Sequence, residues 1–324
     1  MARAIERERD MRGIYGALAS LAGLMLTMPA QASEAGGGVY PNGAEGSLAG
    51  ALPPKGLYYL GYLQYYEADR FNDGKGNAGM LPDFKVKVEA AVNRLVWVSD
   101  KKILGADYAM HLFVPVVNVD ARIAGATGNR TGVSDVTFAP MILGWHFPNG
   151  VHVNTGLDIN IPVGSYDPGS IANFSRHYWN VEPVLALAYY KKNLQIDVKM
   201  MYDINFKNKN AQINGFNPTG ADYRTGNEFH LDYAATYAVK PNVQLGVAGY
   251  FYKQTTGDRV DNAAAQATID AMGGFKGETF AGGPTARVGL GKVQLIGTWQ
   301  HEFHSEYRPQ GDKFWIKAII PIGK

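Results

Sequence analysis

The chain has 324 residues, with 31 Lys+Arg against 29 Asp+Glu and a net charge of +2, so it carries no electrostatic footprint for nucleic acid. It has no cysteine, which excludes a disulfide framework and thiolate chemistry. Beyond its first stretch it holds no apolar run of about 18 residues, which excludes a helical membrane protein and leaves a secreted soluble protein or a transmembrane barrel.

At the N-terminus, Arg3, Arg7, Arg9 and Arg12 precede an apolar run from Ile14 to Met28, and Ala30-Gln31-Ala32 follows with small residues at −3 and −1 of a cleavage site. This is the pattern of a secretory signal peptide over residues 1–32. Residues 33–55, rich in Gly, Ala and Pro, have neither a helical nor a strand period. Two readings stay open for them: a flexible leader, or a segment folded back inside a barrel as a plug.

From residue 56 onward the chain reads as strands. Residues 56–67 are Tyr-rich; 85–98 alternate through Val86, Val88, Ala90 and Val92 and then change phase at Leu95 and Trp97, which predicts a bulge. Residues 107–120 and 133–147 are apolar with blurred alternation, and 151–161 alternate cleanly. Residues 179–190 follow. Over 194–206, Leu194, Ile196, Val198, Met200, Tyr202, Ile204 and Phe206 share one face, opposite Gln195, Asp197, Lys199, Asp203 and Asn205. Residues 228–239, 243–254, 280–290, 293–303 and 313–322 complete a set of about twelve. A strand that crosses a bilayer at a tilt needs roughly 9–11 residues.

Loop lengths alternate. Short links such as Pro148-Asn149-Gly150 and Lys240-Pro241-Asn242 follow even-numbered strands, and long loops such as 68–84, 162–178, 207–227 and 257–279 follow odd ones. An outer-membrane barrel sorts its connections in this way, and a sandwich has no reason to. The expected fold is all-β, an antiparallel up-and-down transmembrane β-barrel of residues 56–324, in the bacterial outer membrane. Tyr58, Tyr59, Tyr65, Tyr66, Trp145, Trp179, Tyr202, Tyr237, Tyr252 and Trp299 lie near strand ends, where interfacial girdles are expected.

Alternation also predicts which polar groups face the lumen. Glu182, Asp203, Glu228, His230, Glu302 and His304 fall toward the long-loop end, and Lys199, Asp232 and Arg287 fall deeper. An ion-pair network and a selectivity ring are both consistent with such groups. Catalytic signals are weak: His304-Ser305 and His301-Glu302 are neighbours in sequence and so point to opposite faces. Asp69 to Gly74 has Phe71 where a calcium loop needs an acidic residue, so neither a metal site nor a cofactor site is read.

The stretch Tyr40-Pro41-Asn42-Gly43-Ala44-Glu45-Gly46, with Ala49-Gly50-Ala51-Leu52-Pro53-Pro54, resembles the start of the family of the meta-pathway of phenol degradation, which includes a sphingosine-induced outer-membrane protein. Gly132-Val133-Ser134-Asp135, Gly164-Ser165-Tyr166-Asp167, Trp179 with Pro183, and Gly249-Tyr250 with Gln254 continue the likeness. The resemblance implies an outer-membrane channel for hydrophobic or aromatic compounds, broadly like the long-chain fatty-acid transporters, with no catalytic residues to carry over. Two functional classes follow. One is passive uptake of hydrophobic or aromatic small molecules, with Phe71, Met80, Leu81, Phe174, Tyr223, Met272 and Phe275 expected to catch them at the mouth. The other is a structural barrel or barrel hydrolase with a closed lumen.

Overall fold

The computed structural model describes residues 38–211, 217 and 220–323. The export signal expected over residues 1–32 lies outside the described residues. The elements in chain order are β1 (Gly56–Phe71), β2 (Lys85–Ile103), β3 (Ala106–Ile123), β4 (Ala126–Val133), β5 (Val136–His146), β6 (Val151–Ile161), β7 (Asn180–Lys191) and β8 (Leu194–Asn205). There follow β9 (Tyr223–Arg224), β10 (Glu228–Lys240), β11 (Val243–Gln254), β12 (Arg259–Val260), the helix α1 (Ala263–Ala271), β13 (Glu278–Leu290), β14 (Val293–Glu306) and β15 (Pro309–Gly323).

Twelve of these strands pair antiparallel with their sequence neighbours, and β1 pairs with both β2 and β15, so the sheet closes on itself. Closure leaves no unpaired edge, the condition for a sheet to cross a bilayer. The outward face carries Leu63, Leu112, Leu157, Leu185, Leu187, Ile196, Leu245, Val247 and Ile316, all exposed, which is the lipid belt. Val198 belongs to this face, on β8 opposite Leu187 and Tyr233. Val198→Arg is expected to destabilise the barrel by roughly 2–4 kcal/mol, the midplane figure for a lipid-facing cation. A denaturant midpoint in lipid vesicles checks it, and an unchanged midpoint would move Val198 out of the belt.

Three details differ from the sequence reading. The expected strand 133–147 is β5, and the stretch expected as a link before it is ordered: β3 runs on past the rim into a hairpin with β4, turning at Ala124 (φ 50°) and Gly125 (φ 82°), before β5 returns to the wall. Both turn residues are left-handed, as a two-residue hairpin matched to sheet twist requires. The expected bulge is not at Leu95, where β1–β2 pairing is unbroken from Gly56↔Val98 to Ala68↔Val86; the slip on β2 comes beyond Trp97, between Val98 and Lys102 against β3. What changes along β2 is the surroundings. Lys85, Lys87 and Glu89 point outward near the long-loop rim, whereas Leu95 and Trp97 point outward into the belt, and the inward face runs Val86, Val92, Arg94, Val96. Register slips occur at several other strand pairs, and one of them, on β14, moves an expected lumen residue: Ala281↔Glu302 is followed by Phe280↔His304. Phe303 is the extra residue, so Ser305 turns inward and is buried while His304, expected in the lumen, is exposed.

Some expected girdle aromatics face inward. Trp179, Tyr237 and Trp299 are exposed on the outside, whereas Tyr58 and Tyr252 are buried against the lumen. The long loops carry their own cores. Phe71 packs with Phe84, Ile123, Ile171 and Phe174, and Tyr223, Val260, Ile269 and Phe275 form a second cluster around α1. Phe71, Tyr223 and Phe275 are therefore packing residues and not solute-catching ones, because the loops are long enough to bury them.

Candidate functional site in the barrel lumen

Residues 38–55 run through the lumen. Pro54 accepts a hydrogen bond from Tyr58 at the short-turn end, where β1 starts, and Gly38 accepts one from Arg176 of the loop after β6 at the other end. The segment has few side chains of its own to bury, so its backbone is held by lumen carboxylates. Asp232 accepts from Gly43 N (2.9 Å), Glu45 N (3.0 Å) and the Tyr40 hydroxyl (2.7 Å). Asp197 accepts from Leu48 N (3.2 Å), Gly50 N (3.0 Å) and the Tyr190 hydroxyl (2.7 Å). Lysines satisfy the carbonyls: Lys313 Nζ donates to Asn42 O at 3.1 Å, and Lys317 Nζ to Glu45 O at 2.8 Å and Ser47 O at 2.9 Å. Small residues let the chain approach the wall. A side chain at Gly50 would meet the Leu187 backbone at 2.6 Å, and one at Gly43 would meet Gln300 at 2.2 Å.

The wall is divided by chemistry. Inward residues of β6 to β14 are largely polar: Asn154, Asp158, Glu182, Lys199, Asp203, Glu228, His230, Asp232, Gln300 and Glu302 are all buried. Inward residues of β1, β2, β3 and β5 are largely apolar, including Val86, Ala90, Val92, Val96, Val119, Ala139 and Ile142, with Arg94 and His111 among the exceptions. Between this apolar arc and the segment lie two cavities. The one toward the long loops has a volume of about 270 Å³ and is lined by Tyr66, Val88, Val117, Phe174 and Trp315. The one toward the short turns is about 500 Å³ and is lined by Leu52, Leu60, Val96, Ile142 and Ile319.

Glu45 and Asp158 line both cavities, so the groups joining them form the partition. Glu45 Oε1 accepts from Arg94 Nη1 at 2.6 Å and from the Tyr62 hydroxyl at 3.0 Å, and Lys317 Nζ stands 3.6 Å from Oε2. Arg94 Nη2 donates to His111 Nδ1 at 2.8 Å, which leaves the proton on Nε2, 3.0 Å from Asp158 Oδ1. The guanidinium also lies 4.6 Å over the Phe113 ring. A buried charge-assisted network of this kind is rigid when complete.

The sequence-predicted lumen residues Glu182, Lys199, Asp203, Glu228, His230, Asp232, Arg287 and Glu302 all lie on inward faces, but they do not form one ring. Asp203, Glu228 and His230 meet at the long-loop end; Glu302 instead accepts from Tyr66, Tyr250 and Gly311 N. Asp232 holds the inner segment, and Arg287 lies apart near the short turns, across from Gln244. Glu45, Arg94, His111 and Asp158 were not foreseen. Each is a single polar residue, and strand register together with the path of the inner segment brings them together.

Above the rim, β9 pairs with β12, and α1, capped by Asn262 Oδ1 on Ala265 N, packs over them. Asp258 is the hub. It accepts from the Tyr223 hydroxyl, from Gly226 N at 2.8 Å and from Gln254 Nε2 at 2.7 Å. Burial pushes its carboxyl up to about 8 against the pull of these donors, and the charge of Glu228 adds to the rise. A carboxyl raised in the folded state stabilises the fold most below its unfolded pKa near 4, and that contribution is lost as pH rises through about 8. Amide exchange of residues 221–262, corrected for its intrinsic pH dependence, is expected to accelerate across that window, and in Asp258→Asn to stay flat. Equal profiles would remove Asp258 as the cause.

Residues 68–318 match the family described as MetA-pathway of phenol degradation. No curated protein matches the chain. Among solved structures, the COG4313 outer membrane channel from Pseudomonas putida F1 is similar at TM-score 0.72 and 18% identity, over 87% of this chain and 99% of that one. The translocator domain of the autotransporter NalP from Neisseria meningitidis is similar at TM-score 0.49 and 7% identity, over 83% and 90%, too distant to inform this chain beyond that. The closed barrel, its lipid belt and a family match over most of its length agree: this outer-membrane β-barrel belongs to the family of the MetA-pathway of phenol degradation.

Proposed function

We propose that the barrel is a passive uptake channel for hydrophobic or aromatic small molecules, with residues 38–55 as its gate. The observation that supports this reading is the corridor. Two cavities lie in line between the apolar arc and the inner segment, divided by the Glu45–Arg94 pair. An apolar solute crosses the polar outer leaflet poorly, and a valine-lined path beside a hydrogen-bonded core offers it a route without stripping water from charges. Polar solutes gain nothing there. The family name and the channel from Pseudomonas putida point in the same direction.

Flux into proteoliposomes across a panel of aromatics, fatty acids and sugars tests this. Aromatic or acyl solutes should enter faster than sugars of the same mass. Ala90→Trp, placed in the wall of the long-loop cavity, should suppress that flux while the barrel still folds. No flux of any solute would favour a structural barrel with a closed lumen.

A further inference from the structure

The densest unexplained chemistry in the lumen is the meeting of Asp203, Glu228 and His230. One ligand atom from each lies within 4.8 Å of the others, and all three side chains are fully buried. His230 Nε2 stands 2.5 Å from Asp203 Oδ2 and 3.6 Å from Glu228 Oε2. Asp203 Oδ1 and Glu228 Oε2 have no hydrogen-bond partner among the described residues. A third buried carboxylate joins them: the β7–β8 register, which pairs Asn180 with Asn205 and Val181 with Ile204, sets Glu182 across from Asp203, and its Oε1 also lacks a partner. Unsatisfied buried carboxylate oxygens demand compensation. One imidazole does not supply it. Lys313 and Lys317 are engaged with the inner segment; Arg308, on the Tyr252 ring, and Lys199, over the Tyr40 ring, act on Glu228 and Glu182 only through space and donate no hydrogen bond to the open oxygens.

The surroundings also orient the atoms as a metal site requires. Asn42 Oδ1 takes the Nδ1 side of His230 at 2.5 Å, which turns Nε2 toward the carboxylates. The Tyr252 hydroxyl donates to Glu228 Oε1 at 2.8 Å, which leaves Oε2 facing inward. Outer partners that fix the ring and the carboxylate in this way are the usual support of a metal ligand set. Gly38 closes the far side; a Cβ there would lie 3.3 Å from Glu228 Oε2.

We propose that Asp203, Glu228 and His230 bind one divalent transition-metal cation of the Zn²⁺ or Mn²⁺ kind, and that this cation fastens the outer end of the inner segment through Asn42. One imidazole nitrogen with carboxylate oxygens suits such ions at about 2.0–2.2 Å. Calcium, which takes six to eight oxygens, suits it less. The cation would take the place of the proton that Nε2 otherwise gives to Asp203, and its charge would offset that of the carboxylates.

The test is calorimetric titration of chelator-treated full-length protein in detergent with Zn²⁺, Mn²⁺ and Ca²⁺. We expect one site per chain for Zn²⁺ or Mn²⁺, with Ca²⁺ weaker. Glu228→Gln and His230→Asn should each weaken binding roughly tenfold or more, by the scale of lost metal-site partners. His146→Ala, at the exposed His146–His152 pair, should leave binding unchanged. Heat-modifiable migration of each variant reports whether the barrel has folded. If only one variant folds, it carries the test, and protection of residues 38–46 from proteolysis by added cation in the wild type is the second readout. Absence of stoichiometric binding, binding undiminished in the folded variants, or loss in His146→Ala would each overturn the proposal.

Discussion

Deleting residues 33–52 while keeping the export signal is expected to yield a folded barrel with a conductance roughly severalfold larger in planar bilayers, because strand number alone then sets the lumen. The barrel closes through interstrand hydrogen bonds to which the segment does not contribute, from Leu57↔Gly323 through Phe71↔Pro309 at the β1–β15 seam. Asp197, Asp232, Lys313 and Lys317 would lose their partners on the segment, but water fills the space that the segment leaves and solvates them. If the truncated barrel conducts no more than the full-length one, the segment is not the gate.

Glu45→Ala is expected to give the second-largest effect. Among the described residues of the segment, Glu45 is the only carboxylate, and it accepts from Arg94 and Tyr62 while facing Lys317. Removing one member of a buried ion pair leaves the other uncompensated and costs on the order of 3–5 kcal/mol. Here that energy falls on the seat of the segment more than on the barrel, so the open state should become populated, with raised flux and little change in barrel melting. Glu45→Gln keeps a hydrogen-bond acceptor and should lie between. Flux at the wild-type level in Glu45→Ala would remove the partition as the gate.

The sequence was most legible where physical environments alternate cleanly. On β8 and β10 the outward face meets lipid and the inward face meets a hydrated core, so Asp203, Glu228 and His230 could be placed inside by counting in twos. On β1 to β3 both faces are apolar over part of their length, because the lumen itself is greasy there. Alternation blurs, and on β2 the crossing from rim to belt looked like a bulge. Bulges that exist, such as the one at Phe303, leave no mark in the pattern, since they show only in the partner strand. The partition was hidden for another reason. Arg94, His111 and Asp158 lie on three strands, Glu45 lies on none, and the contact among them depends on register and on the path of the segment.

The segment enters β1 directly, through Pro53, Pro54 and Lys55 to Gly56. It is thus a ligand covalently joined to its own receptor. For a short connection the effective concentration of such a ligand is of order millimolar or above. Dilution does not dissociate it, and a free peptide of the same sequence would have to reach comparable concentrations to compete. Under the proposed gating, the fraction of open channels is therefore an intramolecular constant, independent of how many copies the membrane holds. It shifts only with conditions or solutes that bear on the bonds to Asp197, Asp232 and Glu45.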